Sequence, residues 1–276
     1  MSFLKRFFLS LRLKQKLAEE NLPLEKYLQR ADFKPEIVTE PFRYIVIDNF
    51  FKQEFVEDLS SYFNSLLSKG LSPDPDERSM FHVFKEAYPY DGYVYAPSPT
   101  TQEPLKLFFS VAWNQYFSKL FNKPTTFGTH LTFHHHPKGD RTGWVHSDYS
   151  THLFPQKKIL PNGVHVLQMN AEQTLSQKEM NFEPFRQKRT IALLYYFNSP
   201  TWEEGDGGET GIYALKTDSV PIIKIAPLQN RLFAFDISPT SFHAFQENVK
   251  DRNCFVQWFH IDEEWAEKKY GTVYLN

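Results

Sequence analysis

The sequence predicts a mainly β domain with flanking helices, and three observations lead to this fold class. Apolar residues recur at helical spacing in two early segments, at about residues 52–67 and 104–122. From about Thr125 onward the chain has runs rich in aromatic and β-branched residues, which favour strands. With 276 residues, the chain is long enough to bury a substantial core within one such domain.

The start of the chain is expected to form a helical extension and a linker, residues 1–41, and the domain is expected to span residues 42–276. Residues 1–16 have charges interspersed among apolar side chains and no small-residue cleavage site. This pattern indicates a basic amphipathic helix rather than a signal peptide. We expect this helix to dock on its own domain or on a partner chain, and contact with a membrane surface is the less favoured alternative.

Within the domain, the first strand is expected at about residues 43–48, before the two helices, and a loop is expected at 72–77. A long insertion, residues 149–188, separates two core strands and flanks the candidate site described below. Long loops in compact domains often carry function, so we interpret it as a lid or substrate-recognition loop, with a surface excursion as the alternative. The tail from residue 262 is expected to pair or pack at the surface.

The composition narrows the classes of function. The chain has 31 basic and 33 acidic residues, so no charge excess points to nucleic acid. Its single cysteine, Cys254, lies in a predicted core strand, which excludes a disulfide within the chain and fits a reducing cytoplasm. No apolar run approaches the length of a transmembrane helix. The 27 phenylalanines indicate a thick core packed with aromatic rings.

Two side chains near the middle of the chain have the spacing of metal ligands. His146 and Asp148 lie at the end of a predicted strand, and residues two apart on a strand face the same side. A third candidate, His243, follows the apolar run 231–235. If the two strands lie across the sheet from each other, two imidazoles and a carboxylate occupy one face of a ferrous ion. Taken alone, the His-x-Asp spacing also occurs by chance in surface turns.

An arginine shortly after His243 offers a binding group for an anion. Arg252 lies at the start of a strand-like run, residues 251–259, that is rich in aromatic and branched residues. A guanidinium on a buried strand needs an anionic partner, and its planar fork binds a carboxylate in bidentate fashion. The alternative is a structural ion pair with one of the many Asp and Glu residues of this chain.

Residues 189–198 form another predicted strand, with two adjacent tyrosines near its end. Tyr195 and Tyr196 must point to opposite faces, so only one of them can enter a pocket. The glycine-rich turn at 205–208 permits a tight reversal into the next strand, expected at 210–215. The turn lacks the lysine and the strand-to-helix context of a phosphate-binding loop.

Three consecutive histidines lie at the end of an earlier strand. Strand alternation places His134 and His136 on one face and His135 on the other, so the three cannot bind one ion together. We therefore expect two histidines that line the pocket and one, His135, that is exposed.

In order and spacing, these segments resemble the prolyl-4-hydroxylase-like branch of the Fe(II)/2-oxoglutarate-dependent dioxygenases. The resemblance extends from about residue 42 to 259 and includes the opening strand Phe42-Arg43-Tyr44-Ile45-Val46-Ile47-Asp48. It implies a double-stranded β-helix, a cupin-like jelly-roll of antiparallel strands with flanking helices. It further implies three cofactors or cosubstrates, which are Fe(2+), 2-oxoglutarate and O2.

The resemblance also implies a role for individual residues. His146, Asp148 and His243 match the iron ligands, which are the catalytic residues of this family. Arg252 matches the residue that binds the distal carboxylate of 2-oxoglutarate, and Tyr196 matches a tyrosine that donates a hydrogen bond to it. His136 stands where the family commonly has a tyrosine, which leaves it a candidate contact with the cosubstrate.

The implied activity is hydroxylation of a C–H bond, coupled to decarboxylation of 2-oxoglutarate to succinate and CO2. The ligand Asp148 argues against halogenation, since related halogenases have a small residue there. Two alternatives remain open: a non-catalytic metal-binding jelly-roll for ligand sensing or carbohydrate binding, and a zinc hydrolase with the same ligands. The substrate is open among a small amino acid or natural-product intermediate, a sugar and a peptidyl side chain.

Overall fold

The computed structural model describes residues 22–32, 34–72, 84–86, 92–97, 100, 102–154, 164–166 and 185–271. The helix expected at 1–16 and all of the 72–77 loop except Ser72 lie outside these residues. No helix in the described part of the chain is long and apolar enough to cross a bilayer.

The two early helical segments are present, but the second is shorter than expected. Helix α1 is Gln53–Leu67, α2 is Val111–Leu120, and a third helix, α3, is Glu263–Tyr270. The prediction of one helix over 104–122 was wrong, because a separate 3-10 turn, Leu105–Leu107, precedes α2. A new helix begins after Ser110, whose backbone is extended and whose hydroxyl accepts a hydrogen bond from the Trp113 amide.

The described strands form two sheets. The larger has ten strands, with a continuous order β1-β11-β8-β13-β5-β4-β3-β2, and the smaller has the order β10-β9-β12. In chain order the strands are β1 Tyr44–Ile47, β2 Leu71–Ser72, β3 Phe84–Glu86, β4 Tyr93–Tyr95, β5 Gly128–His136, β6 Thr151–Phe154, β7 His165–Val166, β8 Phe185–Tyr196, β9 Thr210–Ile212, β10 Ile223–Ile225, β11 Arg231–Asp236, β12 His243–Phe245 and β13 Arg252–Asp262.

The connection of these strands is that of a jelly-roll. The centre of the large sheet has the order β5-β13-β8-β11, with antiparallel neighbours. The small sheet is extended by the segment around His146, which forms a bridge with His243 of β12. From β5 onward the chain passes repeatedly from one sheet to the other and so builds two facing layers. The fold class expected from the sequence is therefore confirmed.

Strand alternation divides the core into two layers. On β8, Leu193 and Tyr195 pack in a cluster on the helix side of the large sheet, beneath α1 and α2. The neighbouring Leu194 and Tyr196 belong to a second cluster, between the two sheets. The two tyrosines thus face opposite sides, as expected. The helix-side layer contains most of the buried phenylalanines, and the layer between the sheets adjoins the candidate site.

The insertion at 149–188 begins and ends within the large sheet. Strand β6 pairs with the start of β8, from Thr151 opposite Lys188 to Phe154 opposite Phe185. Both ends therefore belong to the sheet, and the interpretation as a lid applies at most to residues 155–184, of which 164–166 are described. The tail beyond 262 forms α3, a helix that the sequence analysis did not predict.

Candidate metal centre

The two candidate histidine ligands face each other across the small sheet. His146 donates a backbone hydrogen bond to His243 O at 3.1 Å, and His243 donates one to His146 O at 2.9 Å. This reciprocal pair brings the two imidazole centroids to 4.5 Å. The prediction of a regular strand up to Asp148 was wrong. Gly143 N donates a hydrogen bond to Phe245 O, so the stretch from Gly143 to His146 lies opposite the shorter stretch from His243 to Phe245. The segment therefore has one residue more than β12, and this extra residue interrupts the regular hydrogen bonding.

The carboxylate of Asp148 completes a cluster of three. Its Oδ1 lies 3.8 Å from His146 Nε2, and its Oδ2 lies 3.6 Å from His243 Nε2. The ligand atoms of all three side chains lie within 4.8 Å of one another. Within the described residues this is the one group of three or more side chains that could hold a metal ion.

Both imidazoles are oriented by backbone carbonyls. His146 Nδ1 lies 2.9 Å from Trp144 O, and His243 Nδ1 lies 3.1 Å from Ser241 O. Because a carbonyl oxygen can only accept, Nδ1 of each ring is the donor, and Nε2 is the nitrogen that a metal would bind. The segment and β12 therefore hold the two rings in the tautomer that ligands require.

The protonation states also suit a metal site. Burial and the neighbouring His146 lower the pKa of His243 to about 4. Burial opposes ionisation of Asp148, but His243, Arg189 and His146 outweigh it and lower the pKa of Asp148 to about 2. At neutral pH the cluster thus contains a neutral imidazole beside an ionised carboxylate, the forms that bind a divalent cation. Two nitrogens and one carboxylate fit ferrous iron.

The cluster opens onto a cavity of about 460 Å³ between the two sheets. A larger groove, about 790 Å³, lies between the segment 22–37 and α2, but no metal-binding cluster of the described residues lies there. Besides the three candidate ligands, the smaller cavity is lined by Gly92, Val94, His134, His136, Trp144, Ser147, Ser150, Arg189, Leu194, Thr210, Phe245, Arg252, Val256 and Trp258.

Arg252 is buried in the wall of this cavity without an acidic partner among the described residues. Its side chain donates a hydrogen bond to Thr210 Oγ1 at 3.3 Å, and its Nε has no hydrogen-bond partner. The guanidinium carbon lies 5.1 Å from the Tyr196 ring centroid and 5.2 Å from that of Phe245. A buried, uncompensated charge is costly, and a carboxylate ligand would compensate it. The structural ion pair considered as an alternative is not found within the described part of the chain.

Two further candidates for the cosubstrate site occupy different positions. The Tyr196 hydroxyl lies 2.7 Å from Thr210 Oγ1, so this tyrosine lies behind the cavity wall and contacts a residue that lines it. His136 lines the cavity directly and is the partner of Arg252 in the β5–β13 register. Its ring stacks on Phe245 at 4.1 Å. Contact of either side chain with 2-oxoglutarate stays a prediction.

The expectation for the histidine run was correct for two of its members. His134 and His136 line the cavity. His135 was expected to be exposed, but it is buried, and its Nδ1 lies 2.7 Å from Asn253 Oδ1. Phe84 of β3 covers this face of β5, with ring centroids 6.3 Å apart. The alternation of side chains along a strand shows which residues share a face, but it cannot show that other residues cover the face opposite the cavity.

Three residues around the cluster were not anticipated from the sequence. Arg189 and Trp258 both donate hydrogen bonds to the Asp148 carboxylate, and Thr210 joins Arg252 to Tyr196. Trp258 shares the alternation of Arg252 along β13, which was a usable signal. Arg189 gave none, because simple alternation along β8 would place it on the helix side together with Tyr195.

Comparison with known proteins agrees with this geometry. A family model described as the 2OG-Fe(II) oxygenase superfamily matches residues 131–260. This stretch is similar to that superfamily, and it makes up less than half of the chain. It includes all three candidate ligands together with Arg189, Thr210, Arg252 and Trp258. The family's name contains ferrous iron and 2-oxoglutarate, and the candidates to bind them within this stretch are the His146–Asp148–His243 cluster and Arg252.

The individual relatives are more distant. The chain is 35% identical over 78 residues to the prolyl 3-hydroxylase OGFOD1 of Xenopus laevis. The aligned stretch covers 26% of this chain and 15% of that protein. Among solved structures, a Pseudomonas putida prolyl-4-hydroxylase aligns with TM-score 0.48 and 15% identity, over 78% of this chain and 91% of the other. A Phytophthora capsici prolyl 4-hydroxylase aligns with TM-score 0.49 and 18% identity, over 84% and 63%.

Proposed function

We propose that this protein is an Fe(II)- and 2-oxoglutarate-dependent dioxygenase that hydroxylates a C–H bond of a peptidyl substrate. The observation that carries the proposal is one cavity with two complementary parts. Its wall contains two imidazoles and a carboxylate whose ligand atoms lie within 4.8 Å of one another, and also a buried guanidinium without an acidic partner among the described residues. A protein that only binds a metal, for sensing or for carbohydrate recognition, has no use for the second part.

In this proposal each group of residues has a separate task. His146, Asp148 and His243 would hold the iron, since two imidazoles and a carboxylate suit a ferrous ion that also binds other ligands. Arg252 binds the distal carboxylate of 2-oxoglutarate, supported by Thr210. When bound, iron with 2-oxoglutarate and O2 supplies the oxidant for hydroxylation, and the other products are succinate and CO2.

Tyr196 and His136 are proposed to complete the cosubstrate end of the cavity. The Tyr196 hydroxyl fixes Thr210, and the His136 ring lies against Phe245, which in turn lies beside the Arg252 guanidinium. Held in this way, Arg252 has few alternative positions and its fork is ready for a carboxylate. The hydrophobic walls between the sheets shield the site from water.

The substrate class follows from the named relatives rather than from the cavity alone. The curated relative is a prolyl 3-hydroxylase, so a prolyl residue of a peptide or protein is the first candidate. Trp144, a residue that is 51% exposed, lies at the cavity and offers an aromatic surface to such a chain. The chain spans only a small part of that relative's length. With one cysteine and no disulfide, we infer a reducing compartment such as the cytoplasm.

Turnover assays test the proposal. Protein loaded with Fe(II) is incubated with 2-oxoglutarate and O2 against a panel of proline-containing peptides, free amino acids and sugars, and succinate is measured. We expect peptide-stimulated succinate formation and a mass increase of one oxygen on the peptide. His243→Ala should abolish both. If the protein binds metal but forms no succinate with any substrate class, this result would support the non-catalytic alternative instead.

A further inference from the structure

We infer that Arg189 and Trp258 are positioning residues that together hold the Asp148 carboxylate in its metal-binding orientation. The inference rests on the proposed function, since it assigns the metal to the His146–Asp148–His243 cluster. It concerns two residues that line the same cavity but belong neither to the candidate ligands nor to the residues proposed to bind 2-oxoglutarate.

The two donors take one oxygen of the carboxylate each. Arg189 Nη1 donates to Asp148 Oδ1 at 3.2 Å, and Trp258 Nε1 donates to Asp148 Oδ2 at 2.7 Å. Asp148 follows an irregular segment, and the terminal torsion of an aspartate is intrinsically broad. Two donors on different strands, β8 and β13, therefore define the carboxylate plane that the backbone around Asp148 leaves undefined.

The donors also hold each other. The guanidinium carbon of Arg189 lies 3.9 Å from the Trp258 ring centroid, which is close cation–π contact. The Trp258 ring in turn stacks on the His130 ring, at 5.1 Å and 29°. His130 is buried and neither of its ring nitrogens has a hydrogen-bond partner, so it supports the indole by packing alone. Because β13 lies between β5 and β8, the indole is flanked from both neighbouring strands.

A local irregularity of β8 brings Arg189 into this arrangement. The β8–β13 register pairs Ile191 with Phe259 but Arg189 with His260, so Thr190 is an extra residue on β8. Such a bulge re-aims the side chains beyond it. Without it, Arg189 would share the helix-side face of Ile191. With it, the guanidinium reaches the Asp148 carboxylate, 41 residues away in sequence.

Cobalt(II) binding to the full-length protein under anaerobic conditions tests the inference without turnover. Trp258→Phe keeps an aromatic ring but removes the N–H donor. Arg189→Lys keeps the positive charge but removes the planar fork, so it separates orientation from charge. Loss of a partner that orients a ligand typically costs metal affinity about 10–100-fold. We expect a loss of this size for each variant and an altered visible Co(II) spectrum.

Coupling between the two donors gives a second readout. If removal of either donor already frees the Asp148 carboxylate, removal of the second donor should add little. The double variant should then bind Co(II) about as weakly as the weaker-binding single variant, and the two fold-losses in affinity should not multiply. Full multiplication of the two effects would show that the residues act independently and would overturn the joint role.

Trp113→Phe is the matched control. Trp113 is also a buried indole, and its Nε1 donates to Gln257 Oε1 at 2.8 Å, away from the cavity. This variant should lose stability but keep the Co(II) affinity and spectrum of the wild type. Equal losses in Trp113→Phe and Trp258→Phe would reduce the effect to general destabilisation and overturn the inference. If Trp258→Phe does not fold, Arg189→Lys carries the test.

The metal site itself and the role of the two donors to Asp148 can be tested separately. Wild-type protein that binds no Co(II), or binds it equally well after His243→Ala, contradicts the metal site and with it the proposed function. Wild-type protein that binds Co(II) through His243, with unchanged affinity and spectrum in Trp258→Phe and Arg189→Lys, contradicts only the role of the two donors.

Discussion

The role of Arg252 depends on its contacts in the folded structure, which the sequence alone does not give. The sequence places an arginine at the start of a buried strand and requires an anionic partner, but it cannot say whether that partner belongs to the chain. In the structure the guanidinium is buried and its described contacts are a threonine hydroxyl and two aromatic rings. An ion pair within the protein would have made Arg252 a structural residue. Its absence among the described residues makes Arg252 a candidate for ligand binding.

Replacement of Arg252 tests this assignment. Arg252→Met should raise the dissociation constant of 2-oxoglutarate by roughly 10–100-fold, since hydrogen bonds to charged groups contribute about 1.5–3 kcal/mol. Binding can be measured by anaerobic calorimetry on Mn(II)-loaded protein. The control is Arg231→Met, which removes an arginine whose fork binds Asp48 on the surface. An unchanged 2-oxoglutarate affinity in Arg252→Met would refute the assignment.

The three candidate ligands could be selected from the sequence, but their supporting residues could not. His146 and Asp148 share a local spacing, and His243 has a recognisable position after a strand. The donors to Asp148 depend on long-range register, because Trp258 and Asp148 are 110 residues apart. Arg189 depends in addition on a bulge that reverses the expected face. Side-chain periodicity places Trp258 on the face of Arg252 but does not reveal its contact with Asp148, and it places Arg189 on the wrong face.

At the scale of elements, long apolar runs were predictable and short or irregular ones were not. The expected strands 189–198 and 251–259 correspond to β8 and β13, since both carry many aromatic and branched residues. The strand expected at 210–215 ends at Ile212 instead. The segment that contains His146 is not a regular strand, because it has one residue more than the part of β12 that it faces.

Helix α3 was missed although its sequence contains local signals. Asp262 caps its start by accepting a hydrogen bond from the Trp265 amide at 3.3 Å. Two glutamates follow in the first turn, two lysines lie in the last turn, and Gly271 ends it with φ of 78°. The helix has eight residues and buries only Ala266, so it lacks the apolar periodicity on which the sequence analysis relied.

The glycine-rich turn before β9 gives a prediction at this scale. Gly207 has φ of 72°, and a Cβ there would collide with the carbonyl oxygen of Glu247. Gly205 also has positive φ, 96°, but nothing lies within 4 Å of its Cβ position. Gly205→Ala should therefore cost about 1–2 kcal/mol from backbone strain alone, and Gly207→Ala should cost clearly more. Denaturant unfolding measures both, and equal losses would show that the close approach has no energetic weight.

At the scale of the whole molecule, two layers divide the work. The helix-side layer, rich in phenylalanine, packs α1 and α2 on the outer face of the large sheet. The inner layer between the sheets opens into the cavity that is lined by the three candidate metal ligands. Composition predicted the aromatic core, but the order β5-β13-β8-β11 depends on pairings between distant segments. The jelly-roll could be anticipated only through the family resemblance.

The many buried histidines make stability depend on pH. Burial is the largest cause that lowers the pKa of five histidines outside the metal cluster, while in the unfolded chain each has a pKa of about 6.5. The five are His130, His134, His136, His152 and His260. Below pH 6.5 the unfolded chain thus binds protons that the folded protein does not, so the free energy of unfolding falls as pH falls.

Each such histidine contributes a slope of up to about 1.4 kcal/mol per pH unit below pH 6.5. We expect metal-free protein to unfold at lower denaturant concentration at pH 5.5 than at pH 7.5, in a range where most carboxylates stay ionised. His152→Gln should reduce this slope by the contribution of one proton, up to about 1.4 kcal/mol per pH unit. Equal stability at the two pH values would contradict the neutral, buried state of these side chains.

The central claim is that His146, Asp148 and His243 hold one ferrous ion with positions left for 2-oxoglutarate. Anaerobic addition of Fe(II) and 2-oxoglutarate to the metal-free protein tests it most directly, because chelation of the keto acid on iron produces a visible charge-transfer band. We predict this band in the wild type, its loss in His243→Ala, and its appearance in Arg252→Met only at higher 2-oxoglutarate concentration. A wild-type protein that gives no band, or a band that survives in His243→Ala, would contradict the account.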